Sequence, residues 1–400
     1  KVTDDRLVGE AQRALAPEQR ASDVPVRRHG DDPSGDDGEL RFFPPRYARS
    51  YEAWHDALRD WCISRQLWWG HRIPVWWRTF EDAAEAEAVH RTWRSEAGAH
   101  PGLVATAEVP SGDAVQVQVC VNVGVEGADA MAERLAAEGF EQDEDVLDTW
   151  FSSGLWPLST MGWPEPSGDF EGLLETFNPT TVLCTGRDII TLWVSRMVMF
   201  NRHFNERRVP FRHVYINPMI QDGHGQRMSK SLGNGVDPRD IIHSHGADAM
   251  RFALAELCTG TQDARMPVDM VSPWTGETFP PKEITSPSGH VVAAPEQTCP
   301  KTGKPMVSAY GVASGAVEPT DEAPLARNAS SKFDQGRNFC NKLWNATRFA
   351  LGTITKPAGP EVVSPAERPL VDRWVLDRLA RTVAQVDAAV ADYQFAAYAT

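Results

Sequence analysis

Residues 181–204 constrain the fold more than any other stretch. Residues 181–185 (TVLCT) are a short β-branched run, Gly186-Arg187-Asp188 reads as a turn, and from about 189 to 204 Ile189, Trp193, Met197, Phe200 and Phe204 mark one helical face. Strand, glycine turn, helix is the unit of a doubly wound α/β sheet, and ligands sit at the carboxyl ends of such strands. Residues 212–217 (RHVYIN) supply a second strand, followed by a polar glycine loop, 221–235. Asp237-Pro238 then opens a helix with an acidic cap and proline in the first turn. Gly246 is its expected stop.

The rest of the chain reads less sharply. Residues 1–45 are polar, and the acidic run from His29 to Glu39 is expected to be a solvated loop. The spacing of Tyr51, Trp54, Leu58, Trp61 and Cys62 predicts a helix over 47–66. Residues 72–77 read as a short strand or extended segment. Val115, Val117, Val119, Val121 and Val123 alternate as a half-buried strand does. Residues 128–138 suggest a short helix. Nine of the 29 prolines fall in residues 271–330, which predicts a loop-rich insertion or linker. Two helices are expected beyond it, over 337–350 and 370–394. The second carries a stripe of Val375, Leu379, Val383, Val386, Val390 and Tyr393. No internal repeat is visible.

Composition narrows the function classes. Forty basic against 55 acidic residues leave a net charge of −15, which argues against a broadly basic nucleic-acid coat but not against a local patch. No apolar run approaches the ~18–20 residues that span a bilayer. The six cysteines, Cys62, Cys120, Cys184, Cys258, Cys299 and Cys340, form no C-x-x-C pair, so neither a disulfide framework nor a zinc ribbon is expected. Six reduced thiols in a cytoplasmic protein is the reading they favour. Several of the 14 tryptophans stand beside Pro, Gly or His, where they could line a pocket. The chain begins at Lys1 and stops soon after the last helical pattern, so a piece of a longer protein is expected.

The loop Gly223–Asn234 concentrates the chemistry. Glycines make it mobile, and Arg227 and Lys230 stand with Ser229 and Ser231 just past a sheet strand. Two cations with hydroxyl and amide donors suit a polyphosphate. A basic surface turn would have the same composition. Other patterns fail. Gly303-Lys304 is followed by Pro305 and lacks the P-loop glycine, Ser153-Gly154 lacks the flanking glycine of a nucleophile elbow, and His243 with His245 has no third ligand. No metal site is expected.

Arg227-Met228-Ser229-Lys230-Ser231 resembles the K-M-S-K-S signature of class I aminoacyl-tRNA synthetases, with Arg for the first Lys. Further blocks follow in the family's order: Trp61–Pro74 (WCISRQLWWGHRIP), Asp145–Pro157 (DVLDTWFSSGLWP), Thr185–Ile190, Gly246–Ala249 with Arg251-Phe252, Gln262–Arg265, and Arg337–Ala346. The block around Trp150 is similar to that of the valyl branch, with the isoleucyl and leucyl branches as alternatives. The resemblance implies the C-terminal half of a Rossmann-like α/β catalytic domain followed by the start of an all-helical anticodon-binding bundle. The expected division is 1–60 as the tail of an editing insertion, 61–265 as catalytic, 266–330 as a proline-rich insertion and 331–400 as the helical domain. The His-x-Gly-His signature is absent: Trp69-Gly70-His71 is preceded by Trp68. Asn217-Pro218 stands where the family often has His-Gly. Residues 271–330 have no family counterpart.

The resemblance also implies ATP with Mg2+ as cofactors, L-valine and tRNA(Val) as partners, and a monomer. Lys230 would stabilise charge on the phosphates, with Arg227, Met228, Ser229 and Ser231 shaping the loop. Gly186 would let the backbone approach the nucleotide, and Asp188 would bind the ribose or the substrate ammonium, unless it merely caps a helix. Trp150 and Ile189 would wall the valine pocket, or else pack a core. Arg337, Lys342 and Arg348 would face tRNA, or else solvent. Editing of mischarged threonine belongs to the complete protein, and the 400 residues alone are not expected to form adenylate. A non-catalytic tRNA-binding half-fold is the alternative from another class.

Overall fold

The computed structural model describes residues 3–21, 26, 38–260, 263–354, 364 and 367–400. Most of the acidic run, 29–37, and Gln262 of the resemblance lie outside them. The chain is a mixed α/β structure that divides into two compact units, one of residues 1–40, 50–180 and 189–212, the other of 41–49, 181–188 and 213–400. This division cuts across the expected 61–265 span.

In the first unit the helix Asp5–Ala14 packs on the helix Ser195–Phe204. A buried ion pair links them. Glu10, buried, accepts from Arg202 at 2.8 Å and pairs with Arg13 at 2.6 Å. Buried charges need such partners. The helix expected over 47–66 runs only over Arg46–Asp56. Beyond it, Ser64–Arg65 pairs as a strand with Val146–Leu147, and Asp148 N donates to Ile63 O at 2.7 Å. Tertiary pairing overrides the local helical period there. Trp68 and Trp69, beside Gly70, are 96% and 89% exposed.

Residues 75–142 make a module with its own core. Its antiparallel sheet has the order Val104–Ser111, Ala114–Val121, Val75–Phe80, Glu141–Gln142. The helices Ala83–Ala99 and Ala128–Ala137 accompany it. The alternation puts Val117, Val119 and Val121 in the core with Trp76, Phe80, Trp93 and Leu135. Val123 lies past the strand and is exposed.

The second unit carries the strand Arg41–Phe43 in parallel register with His213–Tyr215, and the order continues through Phe211–Asn217 to Thr180–Gly186. The helix Pro238–His245 starts where expected, with Asp237 Oδ1 accepting from Arg239 N at 2.8 Å, and Gly246 ends it. The proline-rich stretch is a folded module rather than a linker. Its strands Asp269–Val271, Thr278–Phe279 and Arg327–Ala329 form one antiparallel sheet, and Glu283–Thr285 with Val291–Ala293 and Glu296–Thr298 with Pro305–Val307 form hairpins. Met270, Cys299, Met306 and Ala326 make its core. The helices Lys332–Thr353 and Leu370–Ala391 both form. Their apolar stripes, including Trp344, Phe349, Leu379 and Val383, are exposed.

Candidate active site

The polar loop is organised by a carboxylate that sequence reasoning missed. Asp222 is buried and accepts four hydrogen bonds: from Asn234 Nδ2 (2.8 Å), Gln226 Nε2 (2.8 Å), Gln226 N (2.9 Å) and His224 N (3.0 Å). Burial pushes the Asp222 carboxyl up, but those donors outweigh it and hold the group below the usual carboxylate range. Asn234 closes the clasp by accepting from Ser229 N at 2.9 Å. The sequence holds both residues, but only the tertiary turn shows that they meet.

Within the clasp the expected loop residues have distinct placements. Met228 packs against the cluster of Ile241, Ala253, Met266 and Phe333 and so roots the loop. Ser229 Oγ lies 3.1 Å from Ser231 Oγ and accepts from Leu232 N at 3.2 Å. Arg227 donates to Asp188 Oδ2 at 3.3 Å, both side chains being largely exposed. Lys230 is exposed, and among the described residues its ammonium has no hydrogen-bonding partner. The loop thus roots Met228, holds Arg227 against Asp188 and leaves Lys230 exposed.

The strand Thr180–Gly186 delivers Gly186 and Asp188 at its carboxyl end. A Cβ on Gly186 would stand 2.7 Å from Asp188 Oδ1, so only glycine lets that carboxylate fold back. Asp188 lies in a short turn, Arg187–Ile189, ahead of a π-helical turn, Ile190–Val194. The α-helix expected from 189 therefore begins at Ser195. Arg187 pairs with Asp263 at 2.6 Å, which also accepts from Gln221 Nε2 at 3.2 Å.

Trp150 and Ile189 belong to the first unit and are half-buried. Asp148 starts the Trp150 helix, accepting from Trp150 N at 2.7 Å while pairing with Arg65 at 2.6 Å. Trp193 Nε1 donates to Ser153 O at 3.2 Å and ties that helix to the segment that follows Ile189. Arg337 is engaged with Asp334 at 2.7 Å, whereas Lys342 and Arg348 are exposed further along the same helix. His245 lies 3.4 Å from Asp334. Among the described residues no three His, Cys, Asp or Glu side chains gather as metal ligands, and no helix is long and apolar enough to cross a membrane.

Residues 34–267 match the family described as tRNA synthetases class I (I, L, M and V). The chain belongs to this family. Among curated relatives, the valine--tRNA ligase of Rhodopirellula baltica is 41% identical over 90% of this chain and 33% of its own length. That of Thermotoga maritima is 34% identical over 90% of this chain and 29% of its own. The synthetase chain thus spans about a third of the length of the relatives it matches. A solved complex, LeuRS-tRNA-LeuAMS of Agrobacterium radiobacter K84, aligns with TM-score 0.45 at 16% identity, covering 85% of this chain and 34% of that one.

Proposed function

We propose that this chain carries the phosphate-side half of the catalytic site of an ATP-dependent valine–tRNA ligase. The observation that carries the reading is the loop clasped by Asp222 and Asn234, which roots Met228 and leaves the Lys230 ammonium exposed and, among the described residues, without a hydrogen-bonding partner. The identities to valine--tRNA ligases support valine over the isoleucyl and leucyl alternatives.

In the first step a valine carboxylate oxygen attacks the α-phosphorus of ATP, and pyrophosphate leaves. In the second, a terminal ribose hydroxyl of tRNA(Val) attacks the carbonyl carbon of valyl-adenylate, and AMP leaves. Such chemistry is mostly positioning and charge stabilisation. Lys230 would meet charge developing on the departing pyrophosphate, assisted by Arg227, Ser229 and Ser231. Arg227 must first leave Asp188, and an exposed pair of this kind costs only about 0–1 kcal/mol to break. That frees Asp188 to accept from a ribose hydroxyl or from the substrate ammonium. Magnesium needs few protein ligands and stays largely on phosphates, so no residue of this chain is assigned to it.

Trp150 and Ile189 would wall the side-chain pocket. An apolar wall of this kind cannot strongly reject threonine, a limitation for which valyl synthetases are themselves the standard example. Hydrolysis of mischarged threonine is accordingly assigned to the complete protein. Lys342 and Arg348, both exposed, would meet tRNA phosphates.

In the complete protein, Lys230→Ala is expected to lower valine-dependent ATP–pyrophosphate exchange by about 10²-fold or more, the range seen when one preorganised charge-stabilising group is removed. Exchange within twofold of the parent would sink the assignment.

A further inference from the structure

The folded module of residues 269–329 touches the 223–235 loop on both sides of Arg227–Ser231, largely through side-chain amides paired with backbone. Asn328 Nδ2 donates to Gly233 O at 2.7 Å and to Gly235 O at 2.8 Å. Gln226 Nε2 donates to Val291 O at 2.7 Å while its Oε1 accepts from Val291 N at 2.9 Å, so the side-chain amide pairs with the strand as another strand would. His224 Nε2 lies 2.7 Å from Glu283 Oε1. Gly233, at φ +57°, sits so close to the helix Ala309–Ala313 that a Cβ would collide with the backbone nitrogen of Tyr310. These contacts grip the loop on either side of Lys230 and leave Lys230 itself untouched.

We propose that this module is a brace that positions the Lys230 loop for the triphosphate, with Asn328 and Gln226 as the positioning residues. The proposal rests on the assignment of the loop to ATP. The brace limits how far the loop can swing, so part of the ordering cost of nucleotide binding is met before ATP arrives. Two tests separate it from that assignment. In the present chain, Asn328→Ala removes two hydrogen bonds, and amide hydrogen exchange over 227–235 is expected to accelerate about tenfold. Exchange in the helix Ser195–Phe204 should not move. In the complete protein the same variant is expected to raise the KM for ATP several-fold, with kcat and the KM for valine held. Gly233→Ala, which forces the loop off Tyr310, should act in the same direction. Unchanged hydrogen exchange overturns the brace whatever the activity. Faster exchange with an unchanged KM for ATP overturns its positioning role. Failure of the Lys230→Ala test removes the ATP assignment but leaves the exchange result standing.

A second observation concerns how the module is built. Ser272-Pro273-Trp274-Thr275-Gly276 and Cys299-Pro300-Lys301-Thr302-Gly303 are twin turns. In the first, Ser272 N donates to Glu277 O (2.9 Å) and Gly276 N to Ser272 O (2.8 Å). In the second, Cys299 N donates to Lys304 O and Gly303 N to Cys299 O, both at 2.9 Å. Gly276 and Gly303 share φ values of +71° and +69°. Thr275 and Thr302 each accept from the amide two residues on, at 3.3 and 3.4 Å. The turns meet where Ser272 Oγ donates to the buried Cys299 Sγ at 3.2 Å.

Two hairpin turns that meet through their first residues, each with a hydroxyl or thiol at its first and fourth positions, match the spacing of a C-x-x-C…C-x-x-C zinc ribbon. The geometry points to a zinc-ribbon scaffold that works without metal, its ligand positions held by Ser272, Thr275, Cys299 and Thr302 and its centre closed by hydrogen bonds to one thiol. The Ser272 hydroxyl, then the Thr302 hydroxyl and the amides of Thr302 and Lys301, draw the Cys299 pKa down to about 6 despite its burial, so donors do for this sulfur what a cation would. Neutral hydroxyls are poor zinc ligands, and one thiolate alone does not hold the ion.

The expected results are two. The purified chain should carry well under 0.1 zinc per chain, and its melting temperature should be unchanged by a strong chelator. The triple variant Ser272→Cys, Thr275→Cys, Thr302→Cys should take up one zinc per chain, and with cobalt should show the absorption of a tetrahedral thiolate site. Zinc-dependent folding of that variant would count the same way. Stoichiometric zinc in the parent chain, or a triple variant that neither binds nor folds with zinc, overturns the reading.

Discussion

The modules at 75–142 and 269–329 are both built from antiparallel strands, yet they are held together differently. The first buries Trp76, Phe80, Trp93, Leu135 and three strand valines on one sheet face. The second has a smaller cluster, Met270, Cys299, Met306 and Ala326, with Val292, Ala294 and Val307 also buried, and its strands are two or three residues long. Its shape comes from turns that hydrogen-bond across their own ends and from side-chain amides such as Gln297, whose Nε2 donates to Lys282 O and Ala294 O, both at 2.9 Å. Burial stabilises the first module and polar satisfaction the second. A buried core is robust to surface change and fails when hollowed. A hydrogen-bonded frame is sensitive at single turns.

The sharpest way to break this contrast is to hollow the first core. Trp93 is fully buried and stacks edge-on against Phe140 at 6.0 Å. Trp93→Ala is expected to destabilise the 75–142 module by about 3–5 kcal/mol. Denaturant unfolding followed by hydrogen exchange over 75–142 measures it. A loss below about 1 kcal/mol would mean that the module does not depend on this core. Next in size are the twin turns. Gly276→Ala and Gly303→Ala meet no steric neighbour, so each measures only the left-handed backbone that glycine tolerates, about 1–2 kcal/mol. Equal losses would confirm that the turns are twins. A loss at one and none at the other would separate them.

The same contrast explains what was legible in the sequence. Ala114–Val121 is long enough for its alternation to show, and Asp237-Pro238 and Gly246 carry their own start and stop signals. The Gly186–Asp188 turn was visible for the same reason. A three-residue strand has no period, so the hairpins after Val268 read as a loop-rich insertion or linker. No C-x-x-C pair pointed to a zinc ribbon, and the twin turns carry hydroxyls at three of the four positions that a ribbon fills with thiols. The helix expected to reach Gln66 failed because Ser64–Arg65 finds a strand partner at Val146–Leu147, far off in sequence. In the candidate site the cationic loop was readable, but Asp222 looked like one more loop residue. Its role depends on Asn234 and Gln226 turning back onto it, which residue types alone do not encode.

The smallest expected effect tests the seam between loop and brace through its two titrating groups. The His224 imidazole is raised above its ordinary ~6.5 chiefly by its hydrogen bond to Glu283, with the charges of Glu283 and Asp222 adding to it. A raised folded pKa stabilises fully below ~6.5 and is lost as pH rises through the folded value. Asp222 has the opposite sign. Its carboxyl is depressed, so its stabilisation is complete above ~4 and is lost as pH falls through the lowered value. The seam should therefore be tightest between roughly pH 4 and 6.5, loosening on the alkaline side through His224 and on the acid side through Asp222. Both members of the His224–Glu283 pair are more than a third exposed, which keeps the alkaline loss within about 1 kcal/mol and makes it smaller in high salt. Exchange of the 223–227 amides, corrected for intrinsic rates, should accelerate by less than about fivefold between pH 6 and 8.5. Glu283→Gln should flatten that rise. A parent profile already flat across this range would show that the ion pair contributes nothing and that Asn328 and Gln226 hold the seam alone.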